Sequence, residues 1–244
     1  MVSYPAIDSR LTVNVRQNPQ SVKTSKDNFR RVKDKLSHLL DSNPPEEGVH
    51  QFLLENPSLF WPHDYPKASQ FGLNGYLSKF PLSPDRIPDF VLPHLACYGR
   101  RSGSRINVLE LKQPAARLFT GQGRMSRDLN DAFDESLDSL RVFRHAFPDI
   151  LQRLHHAIVE NMSAAQREHD TKSGEFVPSS DMYYPPDYKC FVLIGRRRTL
   201  GPHDLHQMKR IFEKTRGTIH IATYDFLLDA VDRAISRGAC YAWH

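Results

Sequence analysis

The run Ile106-Asn-Val-Leu-Glu-Leu-Lys112 sets a carboxylate and an ammonium two positions apart inside an otherwise apolar stretch. Residues two apart on a strand project from the same face, so Glu110 and Lys112 point together. Burying unpaired charge is costly, and a third group has to compensate them. Pro88-Asp89 opens a second apolar run, Phe90 to Cys97, and Tyr98-Gly-Arg-Arg-Ser-Gly-Ser104 between the runs has the glycines and serines of a hairpin. A hairpin there returns Asp89 to the end of the sheet that carries Glu110 and Lys112. Two carboxylates, the main-chain carbonyl of Leu111 and waters make an oxygen shell suited to Mg²⁺ or Mn²⁺. Such an ion polarises a phosphodiester and acidifies an attacking water, while Lys112 holds that water or stabilises the developing charge. A Glu-x-Lys alone is a weak signal, since a surface ion pair worth about 0–1 kcal/mol explains most of them. Its combination with Pro-Asp at a strand start and an intervening hairpin is what points to phosphodiester hydrolysis.

The elements that must position these residues read as an α/β domain. Phe29, Val32, Leu36, Leu39 and Leu40 recur at helical spacing and predict a helix from Ser25, stopped by Asn43-Pro44-Pro45. A second helix runs from Glu46 to Asn56-Pro57, and a strand fits near residues 69–79. After Pro114 and the Gly121-Gln-Gly123 segment, apolar spacing predicts a helix over 126–147, then a shorter one through Ile150, Leu151, Leu154 and Ile158. Residues 161–187 are polar and patternless, which predicts a flexible loop. Strand 189–195, helix 202–214, strand 218–223 and helix 224–237, ended by Gly238, then alternate. The first twenty-four residues are polar and aperiodic and read as an arm or an irregular edge segment.

At 244 residues the chain can bury a substantial core. The longest apolar runs have strand length, and the first thirty residues lack a hydrophobic signal core, so no membrane span and a cytoplasmic location are expected. Cys97, Cys190 and Cys240 are odd in number and show no CxxC spacing, which argues against zinc and a disulfide framework and for small core residues. The formal charge of +5 and pI near 9.1 fit a polyanionic partner without demanding one.

Three segments together carry a family resemblance. Gln51-Phe-Leu-Leu-Glu-Asn-Pro57, Pro88-Asp-Phe-Val-Leu92 and Glu110-Leu-Lys-Gln-Pro114 stand in the order in which they occur in the Shedu antiphage-defence nucleases, and Gly195-Arg196 and Ile219-His-Ile-Ala-Thr-Tyr-Asp225 resemble later segments of that family. The match spans roughly residues 45–230. The resemblance implies a PD-(D/E)xK restriction-endonuclease-like core, a mixed central β-sheet flanked by helices, with a small helical N-terminal segment. It implies a metal-dependent endonuclease acting on nucleic acid, DNA rather than RNA, and a homo-oligomer, with Asp89, Glu110 and Lys112 in the catalytic positions. It also implies a glutamate from the first helix of the domain, for which Glu47 is the first choice and Glu46 the second. One departure is Ser139, where the family often has glutamine. The domain division is then a basic arm with an amphipathic helix at 1–44 and the nuclease domain at 45–244.

Arginines cluster at Arg100, Arg101 and Arg105, at Arg117, Arg124 and Arg127, and at Arg196, Arg197 and Arg198. They are candidate phosphate contacts, with solvated loop charge as the plain alternative. His155-His156 are neighbours rather than i, i+4 partners and do not face one metal. Two other readings stand beside the nuclease: a catalytically weak or inactive nucleic-acid-binding module on the same fold within a defence complex, and an interaction protein that docks through its N-terminal basic helix.

Overall fold

The computed structural model describes residues 13–15, 26–56, 59, 72–98, 101–121, 123–161 and 187–237. Its centre is a six-stranded sheet with strands in chain order, β1 Val13–Val15, β2 Gly72–Ser78, β3 Phe90–Tyr98, β4 Arg101–Leu111, β5 Asp187–Leu193 and β6 Ile219–Ala222. From β1 to β4 neighbours pair antiparallel, and β4, β5 and β6 run parallel. Parallel neighbours need crossovers, and helices supply them. These are α3, Arg127–Asn161, between β4 and β5, and α4, Pro202–Lys214, between β5 and β6. Two helices precede β2, α1 Lys26–Asp41 and α2 Glu46–Glu55, and α5, Asp225–Arg237, follows β6.

Alternation along β4 splits the core in two. Leu109 and Leu111 join Phe90 and Leu92 on one face, covered by Leu36 and Leu40 of α1, Val49 and Leu53 of α2, and Leu227 and Val231 of α5. Ile106 and Val108 join Val91 on the other face, under Phe143, Ile150 and Leu154 of α3. A smaller cluster of Leu118, Leu129, Val192 and Ile194 lies beneath Met208 and Ile211 of α4.

Several expectations change. Phe29, Val32, Leu36 and Leu40 are buried in the same core as the sheet, so the apolar face of α1 packs on that core. Val13–Val15 pairs with β2 as a regular edge strand where an arm or an irregular edge segment was expected. The hairpin turn is tighter than 98–104, because Ser102, Gly103 and Ser104 already pair with β3. The two helices predicted after Ser126 are there, the span α3 being broken at Ala146 (φ −126°, ψ 22°), whose backbone is not helical, next to Pro148, which withholds a main-chain donor. The interior of the loop expected at 161–187 lies outside the described residues. Among the described residues no helix is long and apolar enough to cross a membrane.

Candidate functional site

The β3–β4 register pairs Phe90 with Leu109, so the next residues along the two strands are Asp89 and Glu110. Both carboxylates are buried, at 6% and 3% exposure, and both are neutralised by the chain itself. Asp89 caps the end of the ladder: its Oδ2 accepts the Leu111 amide at 2.7 Å, and its Oδ1 pairs with Lys79 Nζ. Lys79 sits just past β2 at φ 52°, and its amide donates to the Asp89 carbonyl at 3.0 Å. Glu110 shares the α3 side of β4 with Ile106 and Val108, and there Arg86 donates to its Oε1.

Arg86 had no part in the sequence expectations. Ser83-Pro-Asp-Arg86 closes a tight turn, the Arg86 amide donating to the Ser83 carbonyl at 3.2 Å, with proline at a position that favours such turns. The guanidinium is aimed inward, and its Nε donates to Ser139 Oγ on α3 at 2.7 Å. Ser139 in turn donates to the Glu135 carbonyl at 3.1 Å. The serine that departs from the family pattern is thus the buried acceptor for a buried arginine. Arg153 fastens the same loop to α3, donating to the carbonyls of Pro81 and Leu82 at 2.7 Å each.

Lys112 follows β4 and points toward α3, its Nζ 3.2 Å from Glu135 Oε2. Its main chain is held on two sides: the amide donates to the Leu193 carbonyl at 2.9 Å, and the carbonyl accepts from Tyr224 Oη at 2.7 Å. Burial raises the Tyr224 phenol well above its usual range, and the carboxylates of Glu46 and Asp89 raise it further, so it stays a donor. Gly195 completes this join. It sits at φ 65°, its amide donates to the Gln113 carbonyl at 3.2 Å, and its carbonyl accepts the Tyr224 amide at 3.1 Å.

On the opposite side α2 brings its first turn toward the site, and its two glutamates lie in different surroundings. Glu47 is exposed, with 81% of its side chain accessible and its nearest basic atom, His50 Nδ1, 3.9 Å away. Glu46 is half-buried, and burial together with the Asp89 charge raises its carboxyl above the usual range, partly offset by Lys112 and Lys79. Helix geometry explains the difference: consecutive residues are about 100° apart around the axis, so only one of the pair can face inward. His50, one turn on, is buried, accepts or donates at Ser78 Oγ over 3.0 Å and stacks on Phe90 at 4.6 Å. Burial, with Lys79 nearby, lowers its pKa.

Among the described residues no group of three or more His, Cys, Asp or Glu side chains is gathered closely enough to hold an ion. The donors nevertheless fit a hard divalent cation in kind. Asp89 and Glu110 are neighbouring buried carboxylates with a main-chain carbonyl between Glu110 and Lys112, and each already requires a cation beside it.

The basic clusters separate. Arg196 is buried and is not available to a phosphate: it pairs with Asp225 at 3.3 Å and with Asp41 at 3.1 Å. Arg197 pairs with Asp229, and Arg198 lies 3.4 Å from Asp41. These arginines tie α1 to α5 and to the 3₁₀ turn Arg197–Thr199. Arg117, Arg124 and Arg127 are exposed on the connection from Lys112 to α3 and at its start. Arg100 lies outside the described residues, as do the side chains of Arg101, Arg105, His155 and His156. Cys190 is wholly buried, and burial pushes its thiol up to about 12, as an inert core residue requires. The side chain of Cys97, and Cys240, are outside the described residues.

Residues 43–228 match the family model described as Shedu protein SduA, C-terminal. No curated protein matches the chain significantly.

Proposed function

The chain belongs to the Shedu SduA C-terminal family, and from that premise we propose that it is a divalent-metal-dependent nuclease of the PD-(D/E)xK kind, cutting DNA in antiphage defence. The observation that carries this is the β3–β4 register, which sets Asp89 beside Glu110 with Lys112 two residues further on at one end of the sheet. Asp89, Glu110 and the Leu111 carbonyl would hold Mg²⁺ or Mn²⁺. When bound, the ion would polarise the phosphodiester and acidify a water.

The chain's own residues do the rest. Lys112 orients the attacking water and places positive charge where negative charge develops on the phosphoryl oxygens. Tyr224 fixes the main chain that carries Lys112, so the ammonium is preorganised rather than recruited. Glu46, with its carboxyl raised by burial and by Asp89, takes up a proton more readily than an exposed glutamate would. Arg117 and Arg124, exposed on the connection that follows Lys112, are the phosphate contacts.

A binding module without turnover is favoured by one observation, the capture of both carboxylates by Lys79 and Arg86. Supercoiled plasmid incubated with the protein in Mg²⁺ or Mn²⁺, and in EDTA, separates the two. A nuclease nicks or linearises the plasmid only with the ion, and a binding module leaves it intact under both conditions.

A further inference from the structure

We propose that Arg86 is a built-in competitor of the divalent cation at Glu110, and that the Arg86–Ser139 pair sets how tightly the site binds that cation; the proposal rests on the nuclease reading. Arg86 is 9% exposed, donates to Glu110 Oε1, and is itself held by Ser139, which is fully buried on α3. The loop that delivers it is fixed twice, by the Ser83–Arg86 turn and by the two carbonyl contacts from Arg153. The guanidinium is therefore a preorganised charge rather than a side chain that happens to reach an acid.

Its effect on an incoming cation has two parts of the same sign. One carboxylate oxygen of Glu110 is already hydrogen-bonded, and that bond must be shared or given up before the oxygen ligates a metal. A fixed positive charge next to a ligand also repels a dication directly, and burial of both side chains limits the screening of that repulsion. Lys79 occupies Asp89 in a looser way. Half of its side chain is exposed, so it can swing into solvent when a cation arrives, whereas Arg86 is enclosed. Glu110, not Asp89, is the ligand at which the chain itself resists the ion.

Mn²⁺ titrated calorimetrically into the full-length protein tests this without reference to turnover. Arg86→Gln keeps a polar side chain beside Ser139 and removes the charge, and it should bind Mn²⁺ about tenfold more tightly than the wild type, the scale of one charge-assisted hydrogen bond. Arg86→Lys should return most of the way to wild-type affinity. Ser139→Ala loosens the hold on Arg86 without touching Glu110 and should shift affinity in the same direction by a smaller factor, which keeps the test open where Arg86→Gln fails to fold. Equal or weaker Mn²⁺ binding in the folded variants, with wild-type plasmid cleavage intact, overturns the competitor role and leaves the nuclease standing. Absence of Mn²⁺ binding in the wild type and in every folded variant, with no cleavage, overturns both.

Discussion

Asp89 and Glu110 are adjacent across two strands yet lean on different supports, and removing them should have similar consequences for a metal and different ones for the fold. Asp89→Ala leaves the Leu111 amide without its acceptor and Glu110→Ala leaves Arg86 buried with one partner fewer. Each variant should lose cleavage and bind Mn²⁺ at least tenfold more weakly, as the ion loses a charged ligand. Glu110→Ala should in addition melt lower, because truncating one partner of a buried pair costs about 3–5 kcal/mol. Retained cleavage in Asp89→Ala contradicts the site assignment. The residues that carry the proposed chemistry were legible because their types are unusual in an apolar strand. Arg86 was not, since nothing about Ser-Pro-Asp-Arg distinguishes an arginine turned inward from one in water. Only the buried Ser139 hydroxyl that accepts from it decides that, and the serine itself registered merely as a missing glutamine.

At the scale of elements, the arginines after β5 act as fasteners. Arg196 joins Asp41 at the end of α1 to Asp225 at the start of α5, and Arg197 donates its amide to Asp225 at 2.6 Å. Burial alone would raise the Asp225 carboxyl, but the Arg197 amide and the Arg196 guanidinium overcome it and hold the pKa below its ordinary value. A depressed carboxylate contributes stability that is present above its unfolded pKa of about 3.9 and is lost as pH falls through the folded value. Asp225→Asn should therefore lower the melting temperature at pH 7 and remove part of the wild-type loss of stability as pH falls below about 3.9; an unchanged acid profile refutes the tie.

The same fasteners bear on α1. A truncation beginning at Pro45 uncovers the core face built on Leu53, Leu109 and Leu227 and strips Arg196 of Asp41, so it should be unfolded or cold-labile by circular dichroism. A truncated protein that melts like the full chain would return α1 to the status of an accessory arm. The amphipathic spacing of α1 was readable, but where its apolar stripe is buried was not, because periodicity names a face and not its partner. Gly195 makes a similar point. A Cβ there would lie 2.5 Å from the Ala116 carbonyl oxygen at a backbone conformation that disfavours side chains, so Gly195→Ala should cost more than about 1 kcal/mol and slacken the Tyr224–Lys112 join. The sequence marked this residue only as part of a family-like segment.

For the whole molecule, a net charge of +5 is a weak guide until the charges are sorted by what they touch. Arg196 stabilises the fold, while Arg117 and Arg124 stand exposed on the connection after Lys112, so the two groups should fail differently. Neutralising Arg117 and Arg124 should reduce the slope of log affinity against log salt on duplex DNA by about 0.9 for each phosphate that is no longer neutralised. Arg196→Ala should lower stability and leave that slope alone. The reverse pattern would return the nucleic-acid face to the 196–198 turn.

The ammonium of Lys112 is assigned to the reaction rather than to binding. Single-turnover cleavage of plasmid by Lys112→Ala in Mn²⁺, run beside an anisotropy titration of DNA, measures both. Turnover should fall at least about a hundredfold, in the range of lost electrostatic stabilisation, with DNA affinity within a factor of a few of wild type. A variant that cleaves at the wild-type rate once its DNA site is saturated would contradict the account.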